Sequence, residues 1–313
     1  MQNYRPRDKI CLFGFSRGAY TARALAGMLY KVVLDIFKLT FLALTPVASQ
    51  VGLVPPHNDQ QVDFAFDLYQ ATDPQSAETA AEFKSTFSMP VIVKFVGVWD
   101  TVSSVGIIPR SLPYSSGTLG VEYFRHALAL DERRARFRPN VWAEPTSVMP
   151  ESLLPDFGPP DSTPDNWMER LPLGTDVKEV WFPGCHADVG GGSHKTMEIV
   201  SLSRLSLRWM IKECMEAEFE TGLVFDDKYL GTIGLYPAGT QTAMQCGPAV
   251  APQNNPVSMS QILMPVSQPK EQRDIFAKIY DQFYLAKHWW ILEVLPLSAT
   301  IQIPDGTWMR FRL

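Results

Sequence analysis

Read as a succession of apolar and polar positions, the chain alternates short apolar runs with longer stretches of helical period. Ile10-Cys11-Leu12-Phe13 is a brief apolar run of the kind that fits a buried parallel strand. After the turn Gly14 to Gly18, an Ala-, Leu- and Arg-rich segment reaching Tyr30 reads as helix. Val91 to Val98 and Val177 to Phe182 are further β-branched and aromatic runs, each ending in a loop of polar and Gly residues. Helical patterns separate them at Asp59 to Tyr69, Ala77 to Phe87, Val121 to Phe137 and Ile199 to Phe219. Strands alternating with helices predict an α/β fold, a parallel sheet flanked by helices.

From Ala238 to Arg273 the composition turns to Pro, Gln, Ser, Met and Ala and loses its period, which reads as a long loop or partly disordered insertion. Order returns in Asp274 to Leu295, where aromatic residues follow a helix-compatible spacing. The resulting expectation is one α/β domain over residues 1–237, an insertion at 238–273, and a C-terminal helical segment at 274–313 packed on the same domain.

At 313 residues and 46% hydrophobic the chain can bury a full-sized core. Its 28 basic and 33 acidic residues give a net charge of -5 with no long basic run, so no footprint for nucleic acid is present. Cys11, Cys185, Cys214 and Cys246 are scattered without C-x-x-C pairing, which points to free thiols and a reducing, cytoplasmic setting. No signal-peptide pattern opens the sequence, and Val32 to Val54 is interrupted by Asp35, Lys38 and Pro46, so no transmembrane segment is expected.

Gly14-Phe15-Ser16-Arg17-Gly18 matches G-x-S-x-G between a strand and an Ala-rich helix. That context is what a nucleophile elbow needs, because a tight strand-to-helix turn with small flanks lifts the serine hydroxyl clear of the sheet. An incidental serine in a glycine-rich turn is the competing reading. A serine hydroxyl becomes nucleophilic when a histidine takes its proton, and that histidine needs an acid to hold its tautomer. Asp100 follows directly on the second strand and His186 on the third, in the chain order expected for this fold class. Alone, Asp100 would equally be a turn cap and His186 a surface residue.

His126 falls inside a predicted helix, His57 in a polar loop and His288 beside Trp289 and Trp290, while His194 shares the loop of His186 and is its rival. Neighbours in an extended segment point to opposite sides, so Cys185 and His186 do not read as a dyad. His186, Asp188 and His194 form no recognised zinc pattern, and Gly190-Gly191-Gly192 lacks the Lys-Ser/Thr of a phosphate loop. No metal or cofactor is expected.

The segments Gly14 to Arg23, Gly97-Val98-Trp99-Asp100-Thr101-Val102 and Phe182 to Gly192 together resemble the α/β-hydrolase family typified by the phospholipase effectors of bacterial type VI secretion, which also has fungal-type members. His126 to Arg134 and Leu207 to Met210 look like family segments too, so the similarity runs through most of the chain. The resemblance implies a Ser16, Asp100, His186 triad acting on ester bonds, with phospholipids or other acyl esters as substrate class and peripheral membrane contact compatible with it.

Two departures accompany the resemblance. Family members open with a strand ending in an Asp-Gly-Thr turn ahead of the elbow, whereas this chain begins almost at the elbow strand. The Arg17 amide is then the expected oxyanion donor, without the second donor from an earlier loop, a loss worth roughly a hundred- to a thousand-fold in rate. Residues 32–50 read as an extra segment, with the ends of a translated intron. The sequence therefore predicts a serine esterase or lipase, with an inactive hydrolase remnant that binds a partner as the alternative.

Overall fold

A computed structural model describes residues 4–5, 7–29, 52–55, 58, 60–71, 74–89, 91–102, 120–142, 174–194, 200–217, 221–233, 235, 274–287, 289–290, 298–302 and 308–312. Strand β1 (Ile10–Phe15) runs into helix α1 (Arg17–Leu29), followed by α2 (Gln60–Gln70), α3 (Pro74–Phe87), β2 (Val93–Trp99), β3 (Val121–Ala129) and a 3-10 turn at Ala135–Phe137. Then come β4 (Asp176–Phe182), α4 (His186–Gly190), α5 (Ser203–Glu216), α6 (Asp227–Thr232), α7 (Gln282–Leu285), β5 (Ser298–Gln302) and β6 (Trp308–Arg312).

Four of the strands form a sheet in the order β1-β2-β3-β4, and β5 and β6 form an antiparallel pair. The sheet is parallel: β1 and β2 pair in that sense, Val93 at the start of β2 donates to Gly120 just before β3, and Leu130 just after β3 donates to Phe182 at the end of β4. Parallel strands flanked by helices are the α/β architecture that the alternation of runs predicts, and they are consistent with the α/β-hydrolase-like fold that the resemblance implies. Among the described residues β1 lies on the sheet's edge, and Phe13 is 45% exposed. The expectation of a buried strand at Ile10 to Phe13 is corrected accordingly.

Contacts divide the chain into two compact units. The first comprises residues 1–124, 139–178 and 295–313. Its core joins Ala19, Ala22, Ala26 and Leu29 of α1 to Val93, Val96 and Val98 of β2 and Val121 and Phe124 of β3. The small alanines matter here, because they let the α1 backbone approach the sheet closely. A second cluster holds α2 to α3 through Ala65, Leu68, Tyr69, Ala80 and Phe83.

The second unit comprises residues 125–138 and 179–294 and is threaded by buried charge pairs. Arg125 Nε meets Glu213 Oε2 at 2.5 Å, and Arg208 Nη1 meets Asp274 Oδ2 at 2.7 Å. His126 is fully buried, with Nδ1 at 2.7 Å from Glu179 Oε1.

Two sequence expectations change. Val121 to Phe137, expected as a helix, is strand β3 and a short 3-10 turn. Burial of Phe124 to Ala129 on both faces removes the alternation that marks a strand, and tertiary packing overrides the helix propensity of Ala, Leu and Arg. Where a helical segment is expected at 274–313, the described residues carry α7 and the β5–β6 pair. The expected insertions at 32–50 and 238–273 lie outside the described residues, as do His57, His288 and Cys246. Among the described residues, no helix is long and apolar enough to cross a membrane.

Candidate active site

Parallel pairing in register sets the positions of Ser16 and Asp100. Phe15 at the end of β1 pairs with Trp99 at the end of β2, so the turns that follow, carrying Ser16 and Asp100, leave the sheet at one level. Ser16 sits at φ +60 and Asp100 at φ +38, a left-handed region that L side chains seldom adopt. Ser16 donates its amide to the Trp99 carbonyl at 3.0 Å, and Val102 donates to the Ser16 carbonyl at 3.5 Å. Asp100 and Thr101 are fully buried, whereas Ser16 is half-exposed.

Gly14 is sterically required in this turn, since a Cβ there would meet the Gly18 carbonyl oxygen at 2.4 Å. Gly18 is not: a Cβ at its position would meet nothing within 4 Å. Phe15 and Trp99 are each half-buried. Arg17 opens α1, so its amide is one of the helix N-terminal N–H groups that no intrahelical carbonyl takes up, and an anion is favoured there.

Arg23 braces the same region from inside α1. Its guanidinium is buried, donates to the Asn140 and Val141 carbonyls and stacks over Phe124. Asn140 in turn donates its amide to the Thr101 carbonyl at 2.7 Å. The elbow helix and the Asp100 turn are thereby joined through residues 140–141. Sequence reading assigned Arg23 no role; its only signal was an arginine among the alanines of an apolar helix.

In the second unit, His186 is the first residue of α4 and is 5% exposed. Gly184 at φ +107 admits the chain to that helix, because a Cβ there would lie 2.5 Å from Asp188 Cβ. Asp188 Oδ2 accepts from the Cys185 amide at 2.9 Å and the Tyr280 amide at 3.0 Å, so Asp188 caps the helix and ties down the 280 segment. Asp131 Oδ2 takes the Gly184 amide at 2.6 Å, and Glu132 Oε2 takes the His186 amide at 3.2 Å. The imidazole packs edge-on to Phe137, with ring centres 4.8 Å apart.

Electrostatics separate the neighbours. Burial pushes the Cys185 thiol up, aided by the carboxylates of Glu132, Asp188, Asp281 and Asp131, to about 12. A thiol so raised stays protonated at neutral pH. Burial also works to raise Glu132, but hydrogen bonds and charge from Arg134, with the His186 amide, hold it below the ordinary carboxylate range.

Of the other described histidines, His126 pairs with Glu179, and His194 packs edge-on to Tyr280 at 4.8 Å. Among the described residues no three His, Cys, Asp or Glu side chains are grouped as metal ligands. Cys11, Cys185 and Cys214 are free thiols.

Comparison with known proteins matches residues 1–35 and 40–213 to the model of the T6SS phospholipase effector Tle1-like catalytic domain. The uncharacterized protein YEL023C of Saccharomyces cerevisiae is 25% identical over 443 aligned residues, covering 99% of this chain and 62% of that protein. The chain thus spans about three fifths of the length of the curated relative it matches. No solved structure matches.

Proposed function

The chain belongs to the family of Tle1-like phospholipase effector catalytic domains, a phospholipase-type hydrolase family, and from that premise we propose that it cleaves carboxylic esters of phospholipids or related acyl lipids by a serine mechanism. Ser16 attacks the acyl carbonyl, His186 takes the hydroxyl proton and delivers it to the leaving alcohol, and Asp100 holds the imidazole in the required tautomer. The amide of Arg17, at the positive end of α1, receives the developing oxyanion. Water then releases the acyl group by the same steps in reverse roles.

The observation that carries this reading is the strained backbone of Ser16. A serine kept at φ +60 in a turn that excludes any side chain at Gly14 costs stability, and such strain persists where function needs the residue presented. The buried carboxylate of Asp100, in a turn hydrogen-bonded to that of Ser16, adds support from an independent position.

The test is hydrolysis of short- and long-chain p-nitrophenyl esters and of phospholipid vesicles by the chain and by its Ser16→Ala variant. Turnover that vanishes in the variant supports the serine mechanism. A folded wild-type chain without turnover overturns it and leaves a hydrolase remnant that binds. Faster cleavage of vesicle lipid than of soluble short esters identifies the lipid substrate class.

A further inference from the structure

Four consecutive residues after β3, Asp131-Glu132-Arg133-Arg134, all reach toward the segment around His186 or the 274–290 stretch. Glu132 and Arg134 are two apart in an extended stretch and so share a side. Their pairing is two-pronged: Arg134 Nε donates to Glu132 Oε1 at 2.9 Å and Nη2 to Oε2 at 2.8 Å, with the Arg134 amide adding a third bond to Oε1 at 2.9 Å. Both side chains are almost fully buried.

From this pair two arms extend to His186. One is the hydrogen bond from the His186 amide to Glu132 Oε2. The other is aromatic. The Arg134 guanidinium lies 3.5 Å from the centre of the Phe137 ring and 4.7 Å from that of Trp289, and those rings meet edge-to-face at 5.4 Å. Phe137 then presents to the His186 imidazole at 4.8 Å. One guanidinium thus meets a carboxylate fork and lies over two aromatic rings at once.

We propose that Glu132 and Arg134 are positioning residues for His186, fixing its backbone by one arm and its imidazole by the other. The proposal rests on the reading of His186 as the proton carrier. Glu132 itself exchanges no proton in this scheme: each of its oxygens already accepts from Arg134 or His186 donors, which keep the carboxylate ionised despite burial. It also meets His186 through the main chain, so it does not replace Asp100 as the tautomer-setting acid.

The test compares the full chain with a Glu132→Gln/Arg134→Met double variant and with Phe137→Leu. Removing both members of a buried pair strands no charge, and Leu preserves apolar bulk beside His186, so folding is preserved by two separate routes. The expected result is kcat on a p-nitrophenyl ester lowered by about 10- to 100-fold with KM within about twofold. In imidazole proton–nitrogen NMR spectra, assigned with His186→Gln, the His186 signal is expected to shift or broaden in both variants while that of His126 stays. Variants that fold and retain the wild-type kcat and His186 signal overturn the proposal. Should the wild-type chain hydrolyse no ester, the serine mechanism falls, and the imidazole signal alone decides: a change upholds the positioning role, and an unchanged signal removes it.

Discussion

The amide of Ser16 donates to the carbonyl of Trp99 at 3.0 Å, lacing the turn after β1 to the turn after β2. The bond follows from parallel pairing, which brings Phe15 level with Trp99, and it places two non-glycine residues of positive φ, Ser16 and Asp100, in adjoining turns. Neither backbone conformation is favoured by its residue. Their pairing is the structural basis for expecting activity to be bought at the expense of stability.

Ser16→Gly and Ser16→Ala separate these two quantities. Both variants lack the hydroxyl and are expected to lose at least about a thousandfold in kcat. Glycine relieves the positive φ at the cost of chain entropy, so Ser16→Gly should be more stable than Ser16→Ala by roughly 1 kcal/mol. Urea unfolding midpoints check this; equal midpoints would show that the turn stores no strain at this residue.

The two glycines of the G-x-S-x-G turn should behave oppositely. A methyl group at Gly14 lands 2.4 Å from the Gly18 oxygen, a backbone atom that cannot swing aside, so Gly14→Ala should cost about 1–3 kcal/mol or prevent folding. Gly18 lies in the first turn of α1 with open space beyond it. Gly18→Ala should therefore be neutral or stabilising by up to about 1 kcal/mol. Thermal midpoints of the two variants provide the measurement.

These residues also mark how far the sequence can be read. Strands β1, β2 and β4 were legible because apolar runs end in turns, and Ser16, Asp100 and His186 stand out by following those runs. Strand β3 was not legible, since Glu122, Arg125 and His126 look like the polar face of a helix until their distant partners Lys94, Glu213 and Glu179 are known. The same blindness hid Glu132 and Arg134: spacing places them on one side, but the rings that receive the guanidinium arrive from Phe137 and Trp289, the latter far along the chain. Pattern reports period and turn chemistry, whereas buried charge is explained only by contacts.

Cys185 offers a pH-dependent check. Its folded value of about 12 lies above the ordinary 9.0, so the unfolded chain releases the thiol proton first as pH rises. The thiol's contribution to stability is thus fully present below pH 9.0 and is lost as pH climbs toward about 12. In the native chain at pH 8, Cys185 should resist iodoacetamide, and it should label promptly in denaturant. Peptide mapping reads the site directly; rapid native labelling at Cys185 would mean that burial and the carboxylates around it do not suppress the thiolate.

The Arg125–Glu213 pair makes a sharper stability prediction because both side chains are almost fully buried and belong to the same unit. It ties β3 to α5, and each charge alone would be stranded in a setting of low polarity. Arg125→Met or Glu213→Leu singly should therefore destabilise by about 3–5 kcal/mol, while the double variant should recover most of that loss because no charge is left unpaired. A double-mutant cycle in urea is the measurement. Coupling near zero would show that the pair is solvated in solution. Strong coupling with a recovered double variant would explain why a strand carrying arginine and histidine can occupy the interior of the sheet, which apolar pattern alone would have forbidden.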